Sequence, residues 1–467
     1  MTRDFADDAL RSLLDKKPGR IARALLWALS VAVFFVFARY ARYAKIDDFS
    51  GYRTDELAII TATVFTAIFA VAYALQLRTA KSQNGLICVL LAVATGAMIL
   101  AKISLLDYLS DDYDIFLSDW IYDYSLMSVK QGLGWYLQSD YTPPYLYVLL
   151  LISRLKDFPW QYMVKAFSVL MDVFMAYALT KLVSLGVRSE GRQLMTFQIA
   201  GILPTVVFNG AYWGQCDVVY VTFCLFALYC GLRRYSVRSM LLFGVALSFK
   251  LQTVFFLPVM LPLWLRKDIK LRHLVLIPAG YMLMMAPALW GGKSLHHVLT
   301  VYLHQAGAYN FITMNAPNWY QLLPDLDKGM LYDMFSPMAM MLGFACVMAM
   351  CAALCVRRER ISVDVTLLTC VLMLAGIPYF LPKMHERYTY GADVLSLVLA
   401  IYAPRRAVLP LLFGFASYAA YTAGLPGERL MDLKWAAMFQ GAAIALTAYE
   451  LSRALRVPAG AATEVKG

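Results

Sequence analysis

DYLSDDYDIFLSDWIYDYSLMSVKQGLGWYLQSDYTPPYLY, residues 107–147, is the one long run of this chain that is neither lipid-soluble nor a charged tail. Its carboxylates up to residue 123, Asp107, Asp111, Asp112, Asp114, Asp119 and Asp123, and its tyrosines are interleaved with Ile, Phe, Leu and Trp. A wet acidic surface is thereby set against an apolar one. That is the pattern of a loop at a membrane interface, where aromatic rings settle at headgroup level, and where carboxylates are placed for active-site chemistry.

The surrounding chain supplies the membrane. Of 467 residues 61% are hydrophobic and only 16% charged, whereas a soluble domain is closer to half apolar and a quarter charged. A spanning helix needs about 20 mainly apolar residues, and such runs recur from Ala24 to the C-terminus. The expected fold class is all-α, a polytopic bundle of about 12 to 14 membrane helices with interfacial helices in the external loops. The net charge of +11 does not imply a nucleic-acid partner, because Lys and Arg sit in short clusters between spans, where membrane orientation explains them. Seven of the eight cysteines fall inside apolar runs, only Cys216 lies near a loop, and none forms a CxxC pair. They read as small core residues, with no disulfide frame and no zinc site. No short apolar run with a small-residue cleavage site opens the chain, so the first run reads as a retained anchor.

Orientation follows from the positive-inside rule. Residues 1–23, carrying Arg3, Arg11, Lys16, Lys17, Arg20 and Arg23, are placed in the cytoplasm. Spans are expected near 24–40, 56–77 and 85–105, which puts an external loop at 106–144. Residues 145–155 are too short to cross and read as a re-entrant or interfacial helix, its first turn accommodating Pro143 and Pro144. Further spans are expected at 160–183, 193–209, 217–232, 272–290, 331–356, 363–380, 389–403, 407–423 and 433–453. A second external loop falls at 291–329 and a cytoplasmic tail at 457–467.

The run 240–265 behaves differently. It carries Lys250 and Gln252 at its middle, Pro258 and Pro262 beyond them, and basic residues on both flanks. Equal charge at both ends implies two half-helices that enter and return, with Lys250 at the outward turn; broken helices are tolerated where they line a cavity. PKMHERY, residues 382–388, falls on the same face as the acidic loop. That face therefore combines carboxylates with the cations Lys250, Lys383 and Arg387, and with aromatics in every loop.

SDDYDIFLSDW (110–120), DYTPPYLY (140–147), FNGAYWGQCD (208–217), SFKLQ (248–252), NAPNW (315–319) and PKMHERY (382–388) resemble the ordered motifs of bacterial GT-C mannosyltransferases related to the GPI-anchor mannosyltransferases. More distantly they are similar to the glucosyltransferases that use dolichyl-phosphate-glucose. The resemblance runs from about residue 111 to 390. It implies a GT-C-like membrane domain over 24–456 in a bacterial inner membrane, its site on the periplasmic or extracellular side. It also implies inverting transfer of a hexose, with mannose expected, from a polyprenyl-phosphate sugar to a glycan, glycolipid or protein hydroxyl, without cofactor or divalent metal.

Sugar transfer of that kind needs a base for the acceptor hydroxyl, cations for the departing phosphate and a groove for the lipid tail. In the family the base is an aspartate eight residues before a tryptophan, and the matching pair is Asp112 and Trp120. Ser110-Asp111-Asp112 departs from the family's opening small-Gly-Asp, so Asp111 and Asp114 stay open as rival bases. Arg387, His385, Lys250 and Lys383 are expected at the donor phosphate. Tyr141, Tyr145, Trp213, Gln215, Asp217, Asn315, Asn318, Trp319, Glu386 and Tyr388 are expected at the sugar, whose hydroxyls favour amides and whose flat face favours aromatics.

Each assignment has a plainer counterpart. A loop aspartate caps helices, Asp112 and Asp114 form a DxD pattern able to hold Mg²⁺ or Mn²⁺, and a cluster such as Lys383–Arg387 can be snorkelling cations and a structural ion pair. His297 and His304 share a helix face but have no third ligand, which suits an interfacial surface better than a metal site. The Met-rich run 330–350 reads as lipid-facing packing. The rival function is a non-catalytic polyprenyl-linked lipid transporter or flippase, since such proteins also use half-helices and midplane cations.

Overall fold

The computed structural model describes residues 16–43, 54–135, 141–307, 311–323, 328–425 and 429–457, with the backbone alone at 43, 54, 304–307 and 328–332. The N-terminal residues 1–15 and the tail from 458, both expected in the cytoplasm, lie outside the described residues, as does the side chain of His304.

With no water in a hydrocarbon core, a backbone must satisfy its own hydrogen bonds, and the apolar runs are accordingly helical. The chain is an all-α polytopic membrane protein. Among the described residues eight helices are long and apolar enough to cross a membrane, and a ninth span is formed if the bent pair Glu190–Ile202 and Pro204–Trp213 counts as one. Shorter apolar helices, including Pro143–Ile152, Asp217–Leu232, Ser236–Phe249 and Tyr390–Tyr402, fill the remainder. The last helix, Leu433–Ala454, is long enough to cross but is not among the eight.

The run around Lys250 is a hairpin. Helix Ser236–Phe249 stops at Lys250, whose backbone is extended, and the chain continues as the 3₁₀ helix Leu251–Val259 and the helix Met260–Leu265. Its two ends meet, because the Lys270 N–H donates to Ser236 Oγ at 3.1 Å. Helix Ser236–Phe249 also lies unusually close to Leu276–Gly291: a Cβ on Gly244 would stand 2.3 Å from the Ile277 carbonyl, so glycine is required there.

The basic loops gather at one end of the bundle. Ser82 bonds Glu190, the Tyr402 hydroxyl donates to the Leu182 carbonyl at 2.9 Å, Arg266 reaches the Ile361 carbonyl at 3.1 Å, and Arg406 pairs with both Asp364 and Glu450. The acidic loop and 382–388 converge at the opposite end. Two-residue strands Thr313–Met314 and Met384–His385 pair there in parallel, Thr313 with Met384 and Met314 with His385.

Candidate functional site

Asp112 begins the π-turn Tyr113–Leu117, which runs directly into helix Ser118–Leu126. The acidic loop docks on the segment after the bent span: Ser110 Oγ donates to the Trp213 carbonyl at 2.9 Å. That segment is shaped by Leu203-Pro204, where the span bends by 49°, and by the wide turns of Val207–Trp213. Gly214 ends them at φ 83°, a left-handed conformation that glycine adopts without steric cost. Gln215 is thereby turned toward the acidic loop, where its side-chain N–H donates to Asp112 Oδ2. Its carbonyl oxygen accepts from the Tyr141 hydroxyl at 3.4 Å. Burial pushes the Tyr141 phenol well above its ordinary range, so it remains a donor. Trp120 meets the Tyr141 ring edge-on at 6.0 Å, and Tyr145 lies 4.7 Å from the same ring.

Cations face this acid. The strand pairing, with the Lys383 N–H bonded to the Ile312 carbonyl at 3.2 Å, holds 382–388 against 312–315. Arg387 pairs with Glu386 at 2.7 Å, approaches Asp217 at 3.6 Å, and lies over the Trp213 ring at 5.2 Å. Lys250 pairs with the other oxygen of Asp217. Asp217 is fully buried and also accepts from Asn209 at 3.1 Å. It therefore joins the Lys250 turn and the 382–388 loop into one unit.

The charge states are set by burial and by neighbours. Burial pulls Arg387 down, but Glu386 and Asp217 outweigh it and hold the guanidinium charged. Burial raises Glu386, an effect that Arg387 partly offsets. Burial, reinforced by Arg387 and Lys250, lowers His385 to about 2. Its ring is therefore neutral, and its 3.9 Å approach to Glu386 is not an ion pair.

Between the two groups lies a cavity of about 1040 Å³. Asp112, Lys250, His385, Glu386 and Arg387 line its polar side, while Phe116, Leu117, Phe249, Val254, Phe255 and Met340 line an apolar side. Val254 and Met340 are 41% and 52% exposed, so the apolar wall runs out to the lipid-facing surface.

Of the residues singled out in the sequence, Asp112, Tyr141, Trp213, Lys250, Asn315, Lys383, His385, Glu386, Arg387 and Tyr388 line this cavity. Gln215, Asp217 and Tyr145 do not line it; the first two stand behind its wall, bonded to Asp112 and to the cations. Asn318 is 1% exposed within its loop, and Trp319 packs on Tyr320 at 4.6 Å; neither reaches the cavity. Asp111 and Asp114 are exposed outside it, so the DxD pair does not converge on it. Gln252, Ser336 and Met340 line the cavity without having been expected to. The Met-rich run is therefore not uniformly lipid packing: Ser336, which is buried, and Met340, four residues on along the same helix and half-exposed at the cavity's outer edge, line the cavity, whereas the exposed Met338 and Met341 do not. Gln252 had a signal, its place two residues after Lys250, and its buried Oε1 has no hydrogen-bond partner among the described residues.

A family profile described as glycosyltransferase family 87 matches residues 140–379, just over half of the chain. The chain belongs to glycosyltransferase family 87. No curated protein matches it significantly. The family 87 match covers Tyr141, the 208–217 segment, Lys250 and 315–319, and ends shortly before 382–388; Asp112 precedes it. The protein is thus a membrane glycosyltransferase, and an acidic group facing cations across one cavity is an arrangement suited to that chemistry.

Proposed function

We propose that this family 87 glycosyltransferase moves a hexose, with mannose the expected sugar, from a polyprenyl-phosphate donor to an acceptor hydroxyl, with inversion at the anomeric carbon. The carrying observation is that Asp112 faces Lys250 and Arg387 across a single cavity whose other wall is apolar and reaches the lipid-facing surface. The acceptor O–H gives its proton to Asp112, and its oxygen forms the new bond to the anomeric carbon. The carbon–oxygen bond to phosphate breaks, and polyprenyl phosphate leaves with the electron pair, its charge received by Arg387 and Lys250. Arg387 suits that role because its planar fork matches phosphate oxygens. His385, as a neutral ring, contributes one N–H, and Lys383 adds a further cation at the rim.

Gln215 orients the base through its bond to Asp112, and Asp217 holds the two cations in register. Asn315, Tyr388, Glu386 and Trp213 border the space for the sugar, and the apolar wall accommodates the prenyl chain. The resemblance to the GPI-anchor mannosyltransferases supports the GT-C type, a bacterial inner-membrane location and a site on the periplasmic or extracellular face. A glycan, a glycolipid or a protein can present the hydroxyl. Membership in a glycosyltransferase family weighs against a non-catalytic lipid carrier.

The test is transfer in reconstituted vesicles supplied with radiolabelled polyprenyl-phosphate mannose or polyprenyl-phosphate glucose and an envelope extract as acceptor. Label is expected in a new product with the mannosyl donor. Label that merely changes leaflet would support a carrier, and transfer from the glucosyl donor alone would replace mannose in the reading.

A further inference from the structure

One face of helix Trp160–Val183 bonds the two chain segments that carry the Asp112–Gln215 contact, residues 105–108 and Gln215. Gln161, Lys165 and Ser168, spaced four and three apart, point the same way. Lys165 is 2% exposed, and among the described residues no carboxylate is bonded to it; its three donors go to the carbonyls of Leu105, Leu106 and Tyr108 at 3.1, 3.1 and 2.6 Å. Gln161 donates to the Leu106 and Tyr108 carbonyls, both at 2.8 Å. This pins the strand of chain that leads into Ser110, Asp111 and Asp112. On the other side Ser168 Oγ donates to the Gln215 carbonyl at 2.8 Å, and the Lys165 stem passes beside Gly214, 3.5 Å from where a Cβ on that residue would stand. A lysine buried in a membrane helix is costly, and here its donors satisfy the carbonyls just past the end of helix Gly85–Ile103, fixing residues 105–108 in one place. The clamp ties residues 105–108 to residues 214–215, the two segments that bring Asp112 and Gln215 together.

We propose that Lys165, with Gln161 and Ser168, is a positioning residue that sets where the Asp112 carboxylate stands in the cavity. It touches no substrate and acts through the acidic loop. The inference rests on Asp112 being the base. Because the cations lie on other elements, loss of the clamp moves the base and leaves the phosphate site in place.

The experiment measures kcat and donor KM for purified, reconstituted Lys165→Met, Lys165→Arg, Gln161→Leu and Ser168→Ala, together with melting temperature in detergent. A displaced base is expected to lower kcat by roughly 10- to 100-fold in Lys165→Met, with smaller losses in the other three. Donor KM should stay within about twofold. Placed on an Asp112→Asn background, the same changes should have no further effect on the residual turnover. Unchanged kcat per folded molecule, or additive losses on the Asp112→Asn background, would overturn the assignment. If Lys165→Met fails to fold, Ser168→Ala and Gln161→Leu decide in the same way. If Asp112→Asn itself retains turnover, the base assignment fails; if Asp112→Asn is inactive while the clamp variants are normal, only the positioning inference fails.

Discussion

Gln215 donates its side-chain N–H to the carboxylate of Asp112 and accepts a hydrogen bond from Tyr141, so the proposed base is held by a residue that is itself held. One carboxylate oxygen is engaged, which leaves the other to receive a proton. Asp112→Asn keeps the shape and removes the basicity, and turnover is expected to fall by about 10²- to 10⁴-fold. Asp111→Asn and Asp114→Asn, whose carboxylates are exposed outside the cavity, should stay within a few-fold of wild type. Gln215→Leu is expected to cost roughly tenfold, the equivalent of a lost hydrogen bond to a charged group. Steady-state transfer rates in reconstituted vesicles check all four.

Asp217 is a counter-ion before it is anything else. It sits fully buried between Lys250 and Arg387, and removing one partner of such a group leaves charge uncompensated at a cost of about 3–5 kcal/mol. Asp217→Asn should therefore lower the melting temperature markedly. The freed cations should also bind a dianion more tightly, so farnesyl phosphate is expected to raise the melting temperature of the variant more than that of the wild type. Equal shifts would show that the two cations are not at the phosphate site.

Most of the helices were legible because lipid leaves the backbone few choices. The expected 160–183 and 363–380 are the observed Trp160–Val183 and Val363–Phe380, and basic flanks on both sides of 240–265 announced the hairpin that breaks at Lys250. The role of Asp217 was not legible. A buried acid that binds sugar and one that balances Lys250, 33 residues away, have the same appearance in a string of letters. The pairing of Thr313–Met314 with Met384–His385 was equally hidden, since two residues carry no periodicity, yet it is this contact that carries Asn315 and Arg387 to one cavity. Ser336 and Met340 gave no signal, because a Met that borders the cavity and one that meets only lipid occur in the same apolar run.

His385 gives the protein an acid-sensitive limb. Burial, with Arg387 and Lys250, lowers its pKa from 6.5 to about 2, so between those values the folded state binds fewer protons than the unfolded one. Its contribution to stability is complete above about pH 6.5 and is lost progressively as pH falls toward 2. Glu386 acts with the opposite sign: burial raises its pKa above the ordinary 4.5, so its contribution is complete below that value and is lost as pH rises through the higher folded one. Melting temperatures between pH 8 and pH 5 should therefore fall less steeply in His385→Asn than in wild type, and more steeply in Glu386→Gln. A wild-type slope in His385→Asn would mean that another group titrates there.

Lys383 permits a test that separates backbone from charge. Its φ is 64° and that of Asn315, which bridges to His385 across the paired loops, is 59°, a left-handed conformation that costs a residue with a Cβ about 1 kcal/mol more than glycine and a β-branched residue more again. Asn315→Val is expected to destabilise the loop by about 1–2 kcal/mol and to weaken donor binding, because it strains the bridge to His385. Lys383→Gly relieves the backbone while deleting the ammonium that lines the cavity. If the lysine is there for phosphate, Lys383→Gly should keep or raise the melting temperature and yet increase donor KM several-fold, an increase reduced at high ionic strength because the charge is at the rim. Unchanged KM together with unchanged salt dependence would leave Lys383 a turn residue only.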